Sequence, residues 1–193
     1  MKKHKTRTVK YRRKRRGETD YKKRLKLLLS NKLRLVIRKS LSNIVAQIVE
    51  YHEKGDKVVV AVSSTSLAKF GWNVNKGNLP SAYLVGLLVG IKAKKNGIEE
   101  VVPDIGFNKA VKGSRVFAVM KGVVDAGVKI PHSKEILPDE ERIKGAHIAK
   151  YAEEMKKSEA YEKLFSSYIK NNLDPVKISE YFEMTKKKIL EVK

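Results

Sequence analysis

Arg12, Arg13, Lys14, Arg15 and Arg16 form the densest run of chemistry-bearing side chains in the sequence. A guanidinium makes planar bidentate contacts with phosphate and stacks on nucleobases. Each phosphate it neutralises releases condensed counterions, which drives binding. The run lies in an arm, residues 1–20, that has almost no apolar content and also supplies Arg7, Lys10 and Tyr11. A second signal is Lys69-Phe70-Gly71-Trp72-Asn73-Val74-Asn75-Lys76-Gly77-Asn78, which interleaves lysines with aromatics and amides. That mixture suits unstacked bases, which offer ring faces and hydrogen-bonding edges. The competing role for its aromatics is packing back onto the core. Phe70 fits the core better, and for Trp72 the two roles stand even. Lys112-Gly113-Ser114-Arg115 opens an expected helix, where backbone N–H groups favour an anion. Ser114 serves equally well there as a simple cap.

Groups suited to catalysis are sparse. His4, His52, His132 and His147 are scattered without metal-ligand spacing. There is no cysteine, which excludes disulfides, thiolate zinc sites and cysteine nucleophiles. Neither a nucleophile elbow nor a P-loop occurs; Gly86…Gly90-Ile91-Lys92 has the wrong spacing. The best acidic pair is Asp104, at the end of an expected strand, and Asp125, late in an expected helix. On a ribonuclease-H-like sheet such carboxylates could bind Mg²⁺ for phosphodiester hydrolysis. Two-metal sites need several converging carboxylates and no third is evident, so turn and helix-surface roles are the better reading. The sequence points to a binding protein rather than an enzyme, with no cofactor and no metal; a structure-specific RNA nuclease is the alternative.

The charge supports a polyanionic partner. Lys and Arg number 43 against 21 acidic residues, a formal net charge of +22. An excess of this size repels itself in the compact state unless a polyanion neutralises it. Residues 1–40 hold 18 of the basic residues and 2 of the acidic ones, whereas residues 131–193 are nearly balanced. The candidate polyanions are nucleic acid and anionic membrane. The longest uncharged run, between Lys76 and Lys92, contains Asn78 and Pro80 and is shorter than a bilayer span. Neither a membrane segment nor a signal peptide is expected, and the lack of cysteine fits the cytosol.

The elements that must position these groups follow from periodicity. The arm, residues 1–20, is too densely charged to pack and is expected to be disordered when free. Thr19 or Asp20 caps a short helix beginning near Tyr21, which carries Arg24 and a stripe of Leu25, Leu28 and Leu29. Leu33–Lys39 alternates, with Leu33, Leu35 and Ile37 on one face and Arg34 and Arg38 on the other. Lys39 extends that basic patch, and the latter face is expected to be the open one. Ser40 and Asn43 flank the next turn, and strands at Ile44–Tyr51 and Val58–Val62 complete an antiparallel meander. Val58–Val62 is apolar throughout, as a strand buried on both faces is. A long loop, a helix over Ser81–Asn96, a strand over Glu100–Ile105 and a helix over Ser114–Ala126 follow. Gly86 and Gly90, four apart, would let the first of these helices lie close to a sheet. The architecture expected is α/β: a mixed sheet of order 3-2-1-4 with one parallel pair and packed helices. The core spans 21–132. Residues 133–193 form a helical extension, with one helix over Asp139–Met155 and another opened by Asp174-Pro175, packed on the core or on a partner.

Several stretches together resemble a known family: Arg13-Lys14-Arg15-Arg16-Gly17-Glu18-Thr19-Asp20-Tyr21, Arg34-Leu35-Val36-Ile37-Arg38-Lys39-Ser40, Gly71-Trp72 with Gly77-Asn78-Leu79-Pro80-Ser81-Ala82-Tyr83-Leu84, and Asp104-Ile105-Gly106 with Lys112-Gly113-Ser114-Arg115-Val116-Phe117-Ala118. The last continues into Lys121-Gly122-Val123-Val124-Asp125-Ala126-Gly127 and Ile130-Pro131-His132. They are similar to large-subunit ribosomal protein eighteen in its archaeal form, the equivalent of eukaryotic large-subunit protein five, over residues 8–160. The resemblance implies a non-enzymatic constituent of the cytoplasmic large ribosomal subunit. It would bind 5S rRNA and help attach it to the large-subunit rRNA in the central protuberance, beside the other 5S rRNA-binding protein. It also implies a ribonuclease-H-like sheet that does no hydrolysis, and a C-terminal extension matching 133–193. The RNA-facing parts it implies are the arm around Arg12–Arg16, Arg34 with Arg38 and Lys39, the Gly71–Asn78 loop and Lys112–Arg115. Chemistry adds Arg7, Lys10, Tyr11, Arg24, Ser40, Asn43 and Lys69 to the expected contacts, and within the loop singles out Trp72, Asn73, Lys76 and Asn78.

Overall fold

The computed structural model of the chain describes residues 9–156, 158 and 160–191. Four strands form one sheet of order β3-β2-β1-β4: β1 (Arg34–Lys39), β2 (Ile44–Glu50), β3 (Lys57–Ser63) and β4 (Val102–Asp104). β1 and β2 are antiparallel with Leu35 opposite Ile48, β2 and β3 are antiparallel, and β4 runs parallel to β1 with Val36 opposite Asp104. The expected order and sense of the strands are those observed. β3 differs in burial, since Val58 is 48% exposed and Ala61 is exposed as well. It is the edge strand, so only its Val60 and Val62 face need be apolar.

Leu35, Ile37, Ile44, Ala46 and Ile48 point into the core from one face of the sheet. Against this face lie α3 (Leu79–Lys95) and α4 (Arg115–Asp125). α3 is buried on nearly every side, which explains its apolar character all round. Asn78 begins it by accepting a hydrogen bond from the Ser81 N–H at 2.9 Å. The expected close approach through Gly86 and Gly90 is real, but the partner is α4 rather than the sheet. A methyl group on Gly86 would strike the Val119 carbonyl, and one on Gly122 would strike the Tyr83 carbonyl. The two backbones meet because neither helix carries a side chain there.

α1 (Arg12–Arg15) and α2 (Tyr21–Leu28) precede the sheet, and α2 has no fully buried residue. Part of the expected 63–80 loop is a 3-10 helix over Ser64–Phe70, started by the Ser63 hydroxyl. The extension packs on the core. α5 (Glu140–Lys144) and α6 (Ala146–Met155) replace the single expected helix, broken at Gly145 with φ 86°. α7 (Tyr161–Leu164) and α8 (Ser166–Lys170) lead to a 3-10 turn at Pro175–Lys177, with Asp174 as its cap. α9 (Ile178–Glu191) then buries Ile178, Phe182, Thr185 and Ile189, and Phe182 meets Tyr83 with ring centroids 5.6 Å apart. Among the described residues no helix is long and apolar enough to cross a membrane.

Candidate nucleic-acid interface

The arm emerges as a basic helical turn. Lys10, Tyr11 and every residue of α1 are exposed, so Arg12, Arg13, Lys14, Arg15 and then Arg16 project from one short segment. Arg13 donates to Thr19 Oγ1 at 2.9 Å and pairs with Glu18 at 3.2 Å, and Arg16 lies 3.9 Å from Glu18. These exposed pairs add little stability. Tyr11 stacks at a tilt on Tyr21, with centroids 5.1 Å apart, and Asp20 caps α2 through the Lys22 and Lys23 N–H groups. Arg7 lies outside the described residues.

The open face of the sheet carries a ladder of alternating charge. Arg24 donates twice to Asp56, both at 2.8 Å. Arg34 reaches Asp56 at 2.6 Å and Asp104 at 3.1 Å. Arg38 then binds Asp104 Oδ1 at 3.2 Å, with further bonds to the Ile37 and Asp104 carbonyls. This corrects the expectation for Arg34. It does leave the strand opposite Leu35, but α2 and the two carboxylates cover it, and it is only 2% exposed. It cannot meet RNA without breaking the ladder. Arg24 has the same fate in milder form, its fork taken up by Asp56. Arg38 and Lys39 remain exposed. A cleft of about 890 Å³ runs between α2 and this face, lined by Arg13 and Glu18 of the arm as well as by Ile105 and Gly106 beyond β4.

The Arg24 guanidinium holds Asp56 below its ordinary value of 3.8, with Arg34 adding to the effect and partial burial opposing it. A depressed carboxylate stabilises the fold fully above the unfolded-state value and loses that contribution as the pH falls through the folded value. Asp56→Asn is therefore expected to be less stable than the parent at pH 7 and to converge on it below about pH 4. Melting curves from pH 2 to 7 check this; a gap that stays constant would show that Asp56 acts through packing alone.

The 69–78 loop turns its chemistry inward. Trp72 is fully buried and its indole N–H donates to the Asn75 carbonyl at 3.2 Å, so it cannot stack on a base. Its packing against the core satisfies both its ring and its one donor. Asn78 uses its side-chain oxygen as the α3 cap, and its amide nitrogen has no partner among the described residues. Phe70 is partly buried against the core, as expected. Lys69 and Asn73 are exposed and Lys76 is half-buried.

Four strand ends meet at one end of the sheet: the last residues of β1, β3 and β4 and the first of β2. Ser40 and Asn43 bond to each other across the β1–β2 turn. Arg115 donates to the Ser40 carbonyl at 3.2 Å and to the Gly77 carbonyl at 2.6 Å, tying three loops together. The segments 40–43, 64–78 and 105–114 that leave this end contain no aspartate or glutamate, and they carry Lys69, Lys76, Lys109 and Lys112. Glu50, Glu53, Asp56, Glu99 and Glu100 lie toward the opposite end. The sheet is thus polarised, with one pole whose connecting segments carry no carboxylate; Asp104, the last residue of β4, lies at this pole paired with Arg34 and Arg38, and Lys39 and Arg115 complete its rim. Ser114 occupies the α4 cap position but makes no capping bond, and its hydroxyl is buried without a partner among the described residues. The sequence reading missed Lys109 and the pole as a unit. The signal was present as the absence of acidic residues from 57 to 98 and from 105 to 124.

Asp104 and Asp125 do not form a metal site. Asp104 is held by two arginines and the Gly106 N–H, and Asp125 accepts the Tyr83 hydroxyl at 2.8 Å. Burial and the neighbouring Asp125 push the Tyr83 hydroxyl strongly up, so it stays a donor. Among the described residues no group of three or more metal-ligating side chains converges.

A basic arm and a pole of acid-free loops on a mixed α/β sheet define a protein shaped to bind a polyanion. A family model described as ribosomal large subunit proteins 60S L5 and 50S L18 matches residues 5–101 and 92–133. The chain belongs to that family, whose members are RNA-binding constituents of the translation machinery and are generally structural rather than enzymatic.

Proposed function

We propose that this protein binds 5S rRNA and helps attach it to the large-subunit rRNA in the central protuberance. It would sit there beside the other 5S rRNA-binding protein, in the cytoplasmic ribosome. The observation that carries this reading is the pairing of family membership with a charge layout in which every segment leaving one end of the sheet lacks a carboxylate. Loops without acidic side chains attract phosphate with little internal competition, since the one aspartate described at this pole, Asp104, is already paired with Arg34 and Arg38. Lys10, Tyr11 and Arg12–Arg16 would track the backbone as the arm wraps it. Lys39, Lys69, Lys76, Lys112 and the free edge of Arg38 would meet it from the ordered core, with Arg115, Ser40, Asn43 and Asn73 shaping the loops. The engaged state of Asp104 counts against hydrolysis.

A gel-shift titration of a 5S rRNA transcript against excess transfer RNA tests the reading. The protein is expected to retain the 5S rRNA under that competition and to return it intact after prolonged incubation with Mg²⁺. Equal displacement by transfer RNA would reduce the protein to a non-specific polyanion binder, and time-dependent cleavage would restore the nuclease alternative.

A further inference from the structure

Phe107 is 56% exposed in the acid-free segment 105–114 that leaves β4 at this pole. Trp72 and Phe117 are buried, and Phe70 is packed against the core. Among the described residues Phe107 is the exposed aromatic at this end of the sheet. Its backbone is fixed from both sides. The Gly106 N–H donates to Asp104 Oδ1 at 3.0 Å, and the Asn108 N–H and side-chain amide both donate to the Ile105 carbonyl, at 3.2 and 2.8 Å. Gly106, at φ 59°, lies against the Arg38 guanidinium, where a methyl group would come within 3.0 Å of Cζ. The turn therefore presents an aromatic ring from a rigid base, with one half-exposed arginine beside it and Lys109 two residues on.

We propose that Phe107 stacks on an unpaired base of the bound RNA while Arg38 and Lys109 hold the flanking phosphates. An exposed phenylalanine contributes little to the fold, and the charged side chains proposed to act beside it, Arg38 and Lys109, are cations suited to phosphate, with Leu41 and Val111 as further exposed apolar groups of this end. A ring on a pinned turn loses little conformational freedom on contact. Stacking against a base is tolerant of sequence, because every base has a π-face.

The inference rests on the 5S rRNA reading and is tested with the full chain and a 5S rRNA transcript, measured across a salt series. Phe107→Ala is expected to weaken binding about 5- to 100-fold with an unchanged melting temperature. Its log–log salt slope should equal that of the parent, since the stacked ring releases no counterions. Phe107→Tyr should bind within about threefold of the parent, as the ring face is kept. Lys109→Ala should instead flatten the slope by roughly 0.7–0.9. Undiminished affinity in Phe107→Ala alongside weaker binding by Lys109→Ala would overturn the stacking role and leave the RNA-binding reading standing, with a protein neighbour as the occupant of Phe107. Failure of the parent chain to bind the transcript would overturn both.

Discussion

Arg34→Ala is expected to cost the fold about 3–5 kcal/mol, the range seen when one partner of a buried ion pair is removed. The thermal midpoint should fall by roughly 6–20 °C for a chain of this size. Asp104 is 8% exposed and Asp56 lies one step nearer to water, so both carboxylates lose a charge-assisted partner that solvent cannot fully replace. Arg34→Lys should recover only part of the stability, because a single ammonium does not reproduce a fork that spans two carboxylates. The affinity of the folded fraction for RNA should stay at the parent level. Arg38→Ala is expected to show the opposite pattern, weakening RNA binding more than the fold, since its side chain is 48% exposed. Thermal denaturation and RNA titration on one preparation of each variant separate the two arginines. A stable Arg34→Ala protein with impaired RNA binding would refute the burial argument.

Deleting residues 1–17 is expected to leave the core folded and to lower RNA affinity on the order of a hundredfold at physiological salt. The deletion removes Lys10 and the Arg12–Arg16 run but spares Asp20, whose carboxylate starts α2. Every phosphate that the arm no longer neutralises should lower the log–log salt slope by roughly 0.7–0.9, so about four such phosphates flatten it by about 3. The Tyr11–Tyr21 pair is the main apolar link between α1 and α2, and removing it should matter little beside the change in slope. A weakened complex with an unaltered slope would mean that the arm acts by shape and not by neutralising phosphate.

The strands and their order were legible because alternation, short turns and one helical crossover leave few topologies open. Leu35 and Ile37 point inward as their spacing requires. What covers the other face was not legible, because period two assigns Arg34 a side of the sheet and says nothing about α2 lying over it. The partners of this buried guanidinium come from residues 22 and 70 positions away, Asp56 and Asp104, and no local pattern encodes that pairing. Trp72 is a similar case: a polar neighbourhood in sequence became a buried one once the 3-10 helix folded it into the core. Gly145 was the readable sign that Asp139–Met155 is not one helix, since a left-handed residue ends a helix there. The pole was hidden for another reason. It is assembled from three loops, each only modestly basic, and its character lies in the carboxylates that none of them has.

The position of α9 has a consequence for how the protein is made. It packs on α3, with Phe182 against Tyr83, yet it is the last helix described, far downstream of the strands and helices it covers. Contacts of such long sequence separation form late, because the intervening chain must first be closed into a loop. Synthesis proceeds from the N-terminus, so the arm and the sheet emerge before the outer wall of α3 exists. A nascent chain thus displays its arginines while its most apolar helix is still partly uncovered. Early engagement by RNA or a chaperone would shield that interval, and stalling translation just before Ile178 would prolong it.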